Sequence, residues 1–270
     1  MTTVKKVKRK LNIKALILLL LIIYLIVMFS YTIINMKITN IYIKNTSLLT
    51  DNEIIEIAGI KDYPSIFKLN SKKTEESIAA LELVNNVSIE KRINGSLIIT
   101  VEEAKPLFYN RNNSKVELSN NKTVEANSKY LGIPSLINYV PSDLLKEFIT
   151  AFSKVDSDII KMINEIEYAP DINGDITIDA ERFLLRMNDT NLVYVNIINM
   201  KRLNDYKEVY ESIPENTFGT LYLDSYDSSN NVLGLFTPFE KDDNSSDNNS
   251  DDDKNQEPDA DTGGDNNGQN

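Results

Sequence analysis

Apolar residues run without a charge from Ala15 to Ile34, ALILLLLIIYLIVMFSYTII. Twenty helical residues rise about 30 Å, the thickness of a bilayer's hydrocarbon layer, so the run predicts a membrane-spanning helix. From Ile38 onward the pattern is that of a globular chain. Ile38, Ile41 and Ile43 predict a first strand ending at Asn45. Thr50-Asp51-Asn52-Glu53 has capping-box spacing and opens a helix carrying Ile54, Ile55 and Ile57, with Gly59 as its stop. Asn70 or Ser71 caps a second helix, whose apolar positions are Ile78, Leu81 and Val84. Val87, Ile89 and Ile93 then alternate with polar residues. Asn94-Gly95 follows, and Leu97, Ile99 and Val101 alternate again. This predicts a hairpin with a two-residue turn and positive φ at both turn positions. The predicted order is strand, helix, helix, strand, strand.

A second region begins at Pro106. Short strands are expected at Phe108-Tyr109 and Lys115–Leu118, around the polar loop Arg111–Ser114. Ser142 is the expected cap of a helix with Leu144, Leu145, Phe148, Ile149, Phe152 and Val155 on one stripe. Strands are expected at Glu165–Tyr168, Asp175–Ala180, Arg182–Met187 and Leu192–Ile197, with Asn173-Gly174 turning between the first two. A helix over Met200–Tyr210 and two closing strands, Thr220–Leu223 and Val232–Thr237, complete the pattern. The fold class is therefore α+β: one membrane helix, a small domain over residues 35–105 and a larger mixed β domain with flanking helices over 106–239. Residues 240–270 hold one apolar side chain, Ala260, and bury too little surface to offset ordering entropy, so a disordered acidic tail is expected.

Charge sharpens this layout. Residues 1–34 carry six Lys/Arg and no acid, all six ahead of or at the start of the apolar run, and only Lys37 lies close behind it. The asymmetry predicts a cytoplasmic basic tail over residues 1–14 and a folded body on the outer face. A cleaved signal peptide would have a 7–15-residue apolar core and an A-x-A-like site. This run is longer and ends in Tyr31, Thr32, Ile33 and Ile34, so an uncleaved anchor is expected. Residues 35–239 carry a net charge of −8, which disfavours a nucleic acid partner.

Candidate chemistry is sparse. The sequence contains neither cysteine nor histidine, which removes disulfides, thiolate nucleophiles and the commonest general base and metal ligand. Carboxylate pairs occur at Glu102-Glu103, Glu165/Glu167 and Asp179/Glu181, and a glycoside hydrolase could use such a pair. Solvent-facing positions on strands account for them more simply. Asp251-Asp252-Asp253 could attract Ca²⁺, but a calcium cage needs ligands held at fixed positions. No catalytic residue, metal site or cofactor is expected.

Taken in order, these motifs resemble the bacterial FtsQ/DivIB cell-division family, most closely its Gram-positive DivIB type. The strand–helix–helix–strand–strand unit resembles a POTRA domain. Leu97, Ile99, Val101, Glu103 and Pro106 match the family's L-x-I-x-V-x-E-R-x-P hairpin, with Ala104 in place of the arginine. Gly219-Thr220-Leu221-Tyr222-Leu223-Asp224 and Gly234-Leu235-Phe236-Thr237-Pro238-Phe239 resemble the glycine-led strand and the aromatic-proline-aromatic run that close DivIB chains. The resemblance implies a non-catalytic scaffold needed for septum formation. Such a scaffold docks FtsB/DivIC-like and FtsL-like bitopic partners outside the membrane and, through them, the septal peptidoglycan synthase. The expected partner-binding residues are Leu221, Tyr222, Leu223, Leu235, Phe236 and Phe239, on a last strand that could lie at a sheet edge or simply close the core. The first strand, Ile38–Lys44, is a second possible docking edge. Tyr24, Ser30 and Tyr31 could meet a partner helix in the membrane, although Tyr31 suits an interface anchor. A membrane-anchored envelope hydrolase, or a POTRA-bearing secretion or sporulation protein, are the alternatives; the C-terminal match argues against the latter.

Overall fold

The computed structural model describes residues 12–226 and 232–240. The expectations of a basic cytoplasmic tail, a disordered acidic tail and a calcium-attracting Asp251–Asp253 fall almost wholly outside these residues. Helix α1, Ile13–Ile34, is the one helix among the described residues long and apolar enough to cross a membrane. Nearly all of its side chains are exposed, as a lipid-facing helix requires. Its end is tied to the body: the Ser65 hydroxyl donates to the Ile34 carbonyl, and Lys68 Nζ donates to Asn35 Oδ1 at 2.7 Å.

The POTRA-like unit forms as its local signals dictate. Strand β1 is Asn40–Lys44, helix α2 Asp51–Ile57, helix α3 Ser71–Ala79, strand β2 Val84–Lys91 and strand β3 Ser96–Glu103. Both halves of the capping box at Thr50 and Glu53 are made, and the backbone N–H and hydroxyl of Thr50 hold the Glu53 carboxyl down at about 2. Gly59 stops α2 at φ +65°, and Asn70 caps α3 by accepting from Lys73 N–H. The sheet order is β1-β3-β2, with β1 parallel and β2 antiparallel to β3, so β1 is an edge. Two expectations are corrected here. Val84 begins β2 instead of extending α3, because the helix stops at Ala79. The hairpin loop is also longer than two residues. Arg92 N–H donates to the Ser96 carbonyl and Gly95 N–H to the Arg92 carbonyl, and Gly95 has φ +85° while Asn94 has no positive φ. That is a three-residue loop closed by a left-handed glycine. Thr39 packs over it, so a Cβ on Gly95 would lie 2.9 Å from Thr39 Oγ1.

The second region is built on a nine-stranded sheet. Its strands are β4 Pro106–Asn110, β5 Lys115–Leu118, β6 Thr123–Glu125, β7 Ser135–Leu136, β8 Ile163–Tyr168, β11 Arg182–Met187, β12 Leu192–Asn196, β13 Gly219–Tyr226 and β14 Val232–Pro238. The order is β14-β13-β12-β11-β8-β7-β4-β5-β6. Strands β9, Asp171–Asn173, and β10, Ile176–Asp179, form a separate two-stranded ribbon. Asn173-Gly174 therefore turns within this ribbon and not directly from β8. Helices α4, Ser142–Phe152, and α5, Ser157–Ile160, lie between β7 and β8. Ser142 is the first residue of α4 and not its cap, which is Pro141. The stretch after Met200 divides into a 3-10 helix over Met200–Asp205 and helix α6, Tyr206–Ser212.

Two hydrophobic cores hold these layers. One centres on Phe108, Phe148, Phe152 and Phe183, with the Phe148 and Phe183 rings stacked at 4.2 Å between centroids. The other fills the POTRA-like unit but also takes in Val116, Leu118 and Tyr130 from the second region. Burial of these apolar side chains across the junction is the main attraction joining the two regions.

Candidate docking edge

Strand β14 is an outermost strand of the nine-stranded sheet, as a docking strand must be. Alternation along it and its neighbours sorts the side chains. Leu221 pairs with Phe236 in the β13–β14 ladder, and Val193 of β12 with Leu221. These residues face the core: Leu221 and Leu223 are both 2% exposed, and Phe236 packs against the same cluster. One residue out of phase, Tyr222 pairs with Leu235 and with Tyr194, and this set lies on the opposite face. The Tyr194 and Tyr222 rings stack at 5.4 Å with 15° between planes, and Leu235 is 58% exposed beside them.

Of the six expected partner-binding residues, Leu221 and Leu223 are therefore in the core. They hold the edge in place and have no surface to offer a partner. Phe236 is half-buried with them. Tyr222 and Leu235 form an outer apolar strip, and Phe239, just after β14 in the chain, is exposed. Tyr194, which extends the strip, was not singled out by the sequence reading. Its signal was present in Val193-Tyr194-Val195, where the tyrosine is out of phase with two buried valines.

The strip is anchored by charge and by a polar latch. The Arg182 guanidinium sits 4.0 Å over the Tyr194 ring and pairs with Asp171 at 3.0 Å and Asp224 at 3.4 Å. Burial pushes the Asp224 carboxyl up, against the pull of Arg182. At the other end of β13, Gly219 N–H donates to Asn191 Oδ1 at 2.8 Å. The Asn191 amide donates to the Tyr206 hydroxyl, which in turn donates to Asp189 Oδ2 at 2.8 Å. Burial and this acceptor raise the Tyr206 phenol well above the usual tyrosine value, keeping it a donor. Gly219 also explains why the closing strand begins with glycine. A Cβ there would lie 2.3 Å from the Thr237 carbonyl oxygen and 2.7 Å from the Phe236 ring.

Four of the six carboxylates in these pairs, Glu103, Glu165, Glu167 and Asp179, have structural partners. Glu103 accepts from the backbone N–H groups of Ser47, Leu48 and Leu49, at 2.8–3.2 Å. Burial opposes its charge, but these amides prevail and hold the carboxyl below the usual glutamate value. Glu165 pairs with Arg111 and Arg186, and Glu167 with Arg186. Asp179 accepts from the Asn196 amide and from Glu181 N–H. Among the described residues, no group of three or more acidic side chains is placed to hold a metal ion.

Comparison with known proteins gives one consistent result. Residues 36–104 match the FtsQ-type POTRA domain. The chain is 25% identical to a cell division protein DivIB of Bacillus anthracis over 217 residues, covering 77% of this chain and 79% of the relative. It is 24% identical to DivIB of Bacillus subtilis over 236 residues, covering 85% and 82%, and 26% identical to DivIB of Clostridium botulinum over 210 residues, covering 77% and 76%. A solved extracytoplasmic domain of DivIB from Geobacillus stearothermophilus aligns with 41% of this chain and 91% of that domain, at 18% identity and a TM-score of 0.31. An apolar N-terminal helix, an FtsQ-type POTRA domain and sequence similarity over most of the length make this chain similar to the DivIB cell-division proteins of bacteria.

Proposed function

We propose that the chain is a non-catalytic scaffold of the division machinery, required for septum formation. It spans the membrane once through α1, with its basic N-terminus in the cytoplasm and its body outside. There it holds FtsB/DivIC-like and FtsL-like bitopic partners and, through them, the septal peptidoglycan synthase. The charge asymmetry around α1 supports the orientation. A reporter fused after residue 239 should be active only outside the membrane, and activity in the cytoplasm would reverse the assignment.

The observation that carries the docking role is the combination found on β14. The strand is long, outermost in its sheet, and bears Leu235 on its outer face beside the Tyr194–Tyr222 stack. A partner strand added there gains main-chain hydrogen bonds, and the outer strip supplies side-chain selectivity. Leu235→Lys tests this. Its side chain faces away from the core, so the fold should persist. The affinity for the outer part of a DivIC-like partner should fall about tenfold, as expected when an apolar anchor at an interface is lost. Unchanged affinity in a folded Leu235→Lys protein would move the site elsewhere, with the β1 edge as the next place to look.

A further inference from the structure

The ribbon β9–β10 is not needed to complete either core, and its side chains are unusual for an exposed element. Strands β8 and β11 pair as far as Tyr168 and Phe183, and Ala169 N–H still reaches the Arg182 carbonyl. Beyond that point the chain continues as the ribbon, held at its base by Asp171 on Arg182 and Asp179 on Asn196. Strands β4, β7 and β8 are mutually parallel, and β4 leads out of the POTRA junction, so the ribbon leaves the sheet at the end opposite that junction. It exposes Ile172 (57%), Ile176 (70%) and Ile178 (62%). Thr177 pairs with Ile172 while Ile176 pairs with Asn173, so isoleucine is presented on both faces. Each of its strands has only the other as a ladder partner among the described strands, leaving both outer edges unpaired. An apolar two-stranded ribbon is marginal in water and is stabilised by a further strand or a covering surface.

Charge narrows the choice of cover. Residues 169–181 contain four acids and no base, and Asp175 at the ribbon's tip has no ion pair among the described residues. A second copy would bring the same acids face to face, on bodies that each carry a net −8 over residues 35–239. An anionic lipid surface is disfavoured by the same acids. We infer that the β9–β10 ribbon is a second docking element, separate from the β14 edge, for an extended partner segment that is apolar on one face and rich in lysine or arginine. Main-chain pairing would complete the ribbon, the isoleucines would lose water, and Asp175 would gain a cation.

The absence of cysteine allows a clean test on the full chain in nanodiscs. Thr177→Cys, labelled with a polarity-sensitive dye, places a probe on the ribbon while leaving every isoleucine intact. The probes to titrate are an alternating lysine–valine peptide and its glutamate–valine counterpart of equal length. The lysine peptide should blue-shift the dye saturably and bind at least about tenfold more tightly than the glutamate peptide, and Asp175→Lys should abolish that preference. Ile176→Ser with Ile178→Ser should remove binding, while Leu235→Lys should leave it unchanged and so separate this site from the β14 edge. Equal binding of the two peptides, or full binding after the serine substitutions, would overturn the inference. So would a dye shift produced by phosphatidylglycerol vesicles alone, or by raising the concentration of the chain alone.

Discussion

The two edges of the nine-stranded sheet are treated in opposite ways. Strand β6 has three residues, and its Val124 packs into the core shared with the POTRA-like unit. Next to it, Asn120 and Lys122 donate to the carbonyls of Glu82 and Leu81, in the connection between α3 and β2, so this side of the sheet is tied to the neighbouring domain. Strand β14 has seven residues, and its Leu235 is exposed on the outer face. Short length and a covering neighbour are the usual protections of an edge against unwanted pairing. One edge has both and the other has neither. The difference teaches that openness at β14 is a property of that strand and not a general looseness of the sheet, which is what a docking edge requires.

The comparison breaks most severely if β14 cannot pair at all. Gly219→Val would put a branched side chain where even a Cβ lies 2.3 Å from the Thr237 carbonyl oxygen. The clash is with backbone, so β13 and β14 must separate. Overpacking of this kind costs about 3 kcal/mol or more, and the partner should lose its docking strand with it. Chemical denaturation and a partner-binding titration check this together. Near-native stability with full binding would show that the closing pair tolerates a side chain at its start.

How much of this was legible in the sequence depends on how local the signal was. The capping box at Thr50, the stop at Gly59 and the strand Arg182–Met187 were read from adjacent residues and are found where expected. The hairpin was found, but its loop was misjudged, because Thr39 packs against Gly95 from far away in the chain and sequence pattern carries no trace of that contact. Strand β7 was missed, since a two-residue strand is too short to alternate, yet it bridges β4 and β8 at the middle of the sheet. At the candidate edge, the alternation of Leu221, Tyr222 and Leu223 was visible, but which phase faced the core was set by the register with β12. Glu103 shows the same limit in a motif: its match to the family hairpin was plain, and its role in capping the turn at residues 47–49 emerged only in three dimensions.

A smaller effect is expected on the protected side, where Glu103 joins β3 to that turn. Glu103→Ala leaves the amides of Ser47, Leu48 and Leu49 without their acceptor, at a cost of about 2 kcal/mol, whereas β14 lies elsewhere and partner affinity should be retained. The pH dependence has a definite sign. A carboxyl held below its unfolded value, near 4.5, stabilises the fold fully above that value and loses the contribution as pH falls through the folded one. Asp224 is shifted upward, so its protonation on acidification works in the opposite direction. Stability measured from neutral pH down to pH 3 should fall less steeply in Glu103→Ala than in the parent. Parallel profiles would mean that the Glu103 charge contributes nothing.

The smallest effect sharpens the comparison most, because it pits one edge against the other with the same substitution. Val124 on β6 is half-buried against the shared core, and Leu235 on β14 is exposed. Val124→Lys removes part of an apolar side chain from its contacts and should destabilise the protein by about 1 kcal/mol, since a lysine stem can snorkel and recover some of the packing. It should leave partner affinity unchanged. Leu235→Lys should do the reverse, altering stability by no more than about 0.5 kcal/mol, as surface substitutions do, while weakening the partner. The two proteins therefore exchange phenotypes if the edges differ as described. Melting and binding measured on both, in one buffer, decide the matter: a Val124→Lys protein that loses partner affinity as much as the Leu235→Lys protein does would make the β6 side part of the docking surface, and the contrast between a covered edge and an open one would fail.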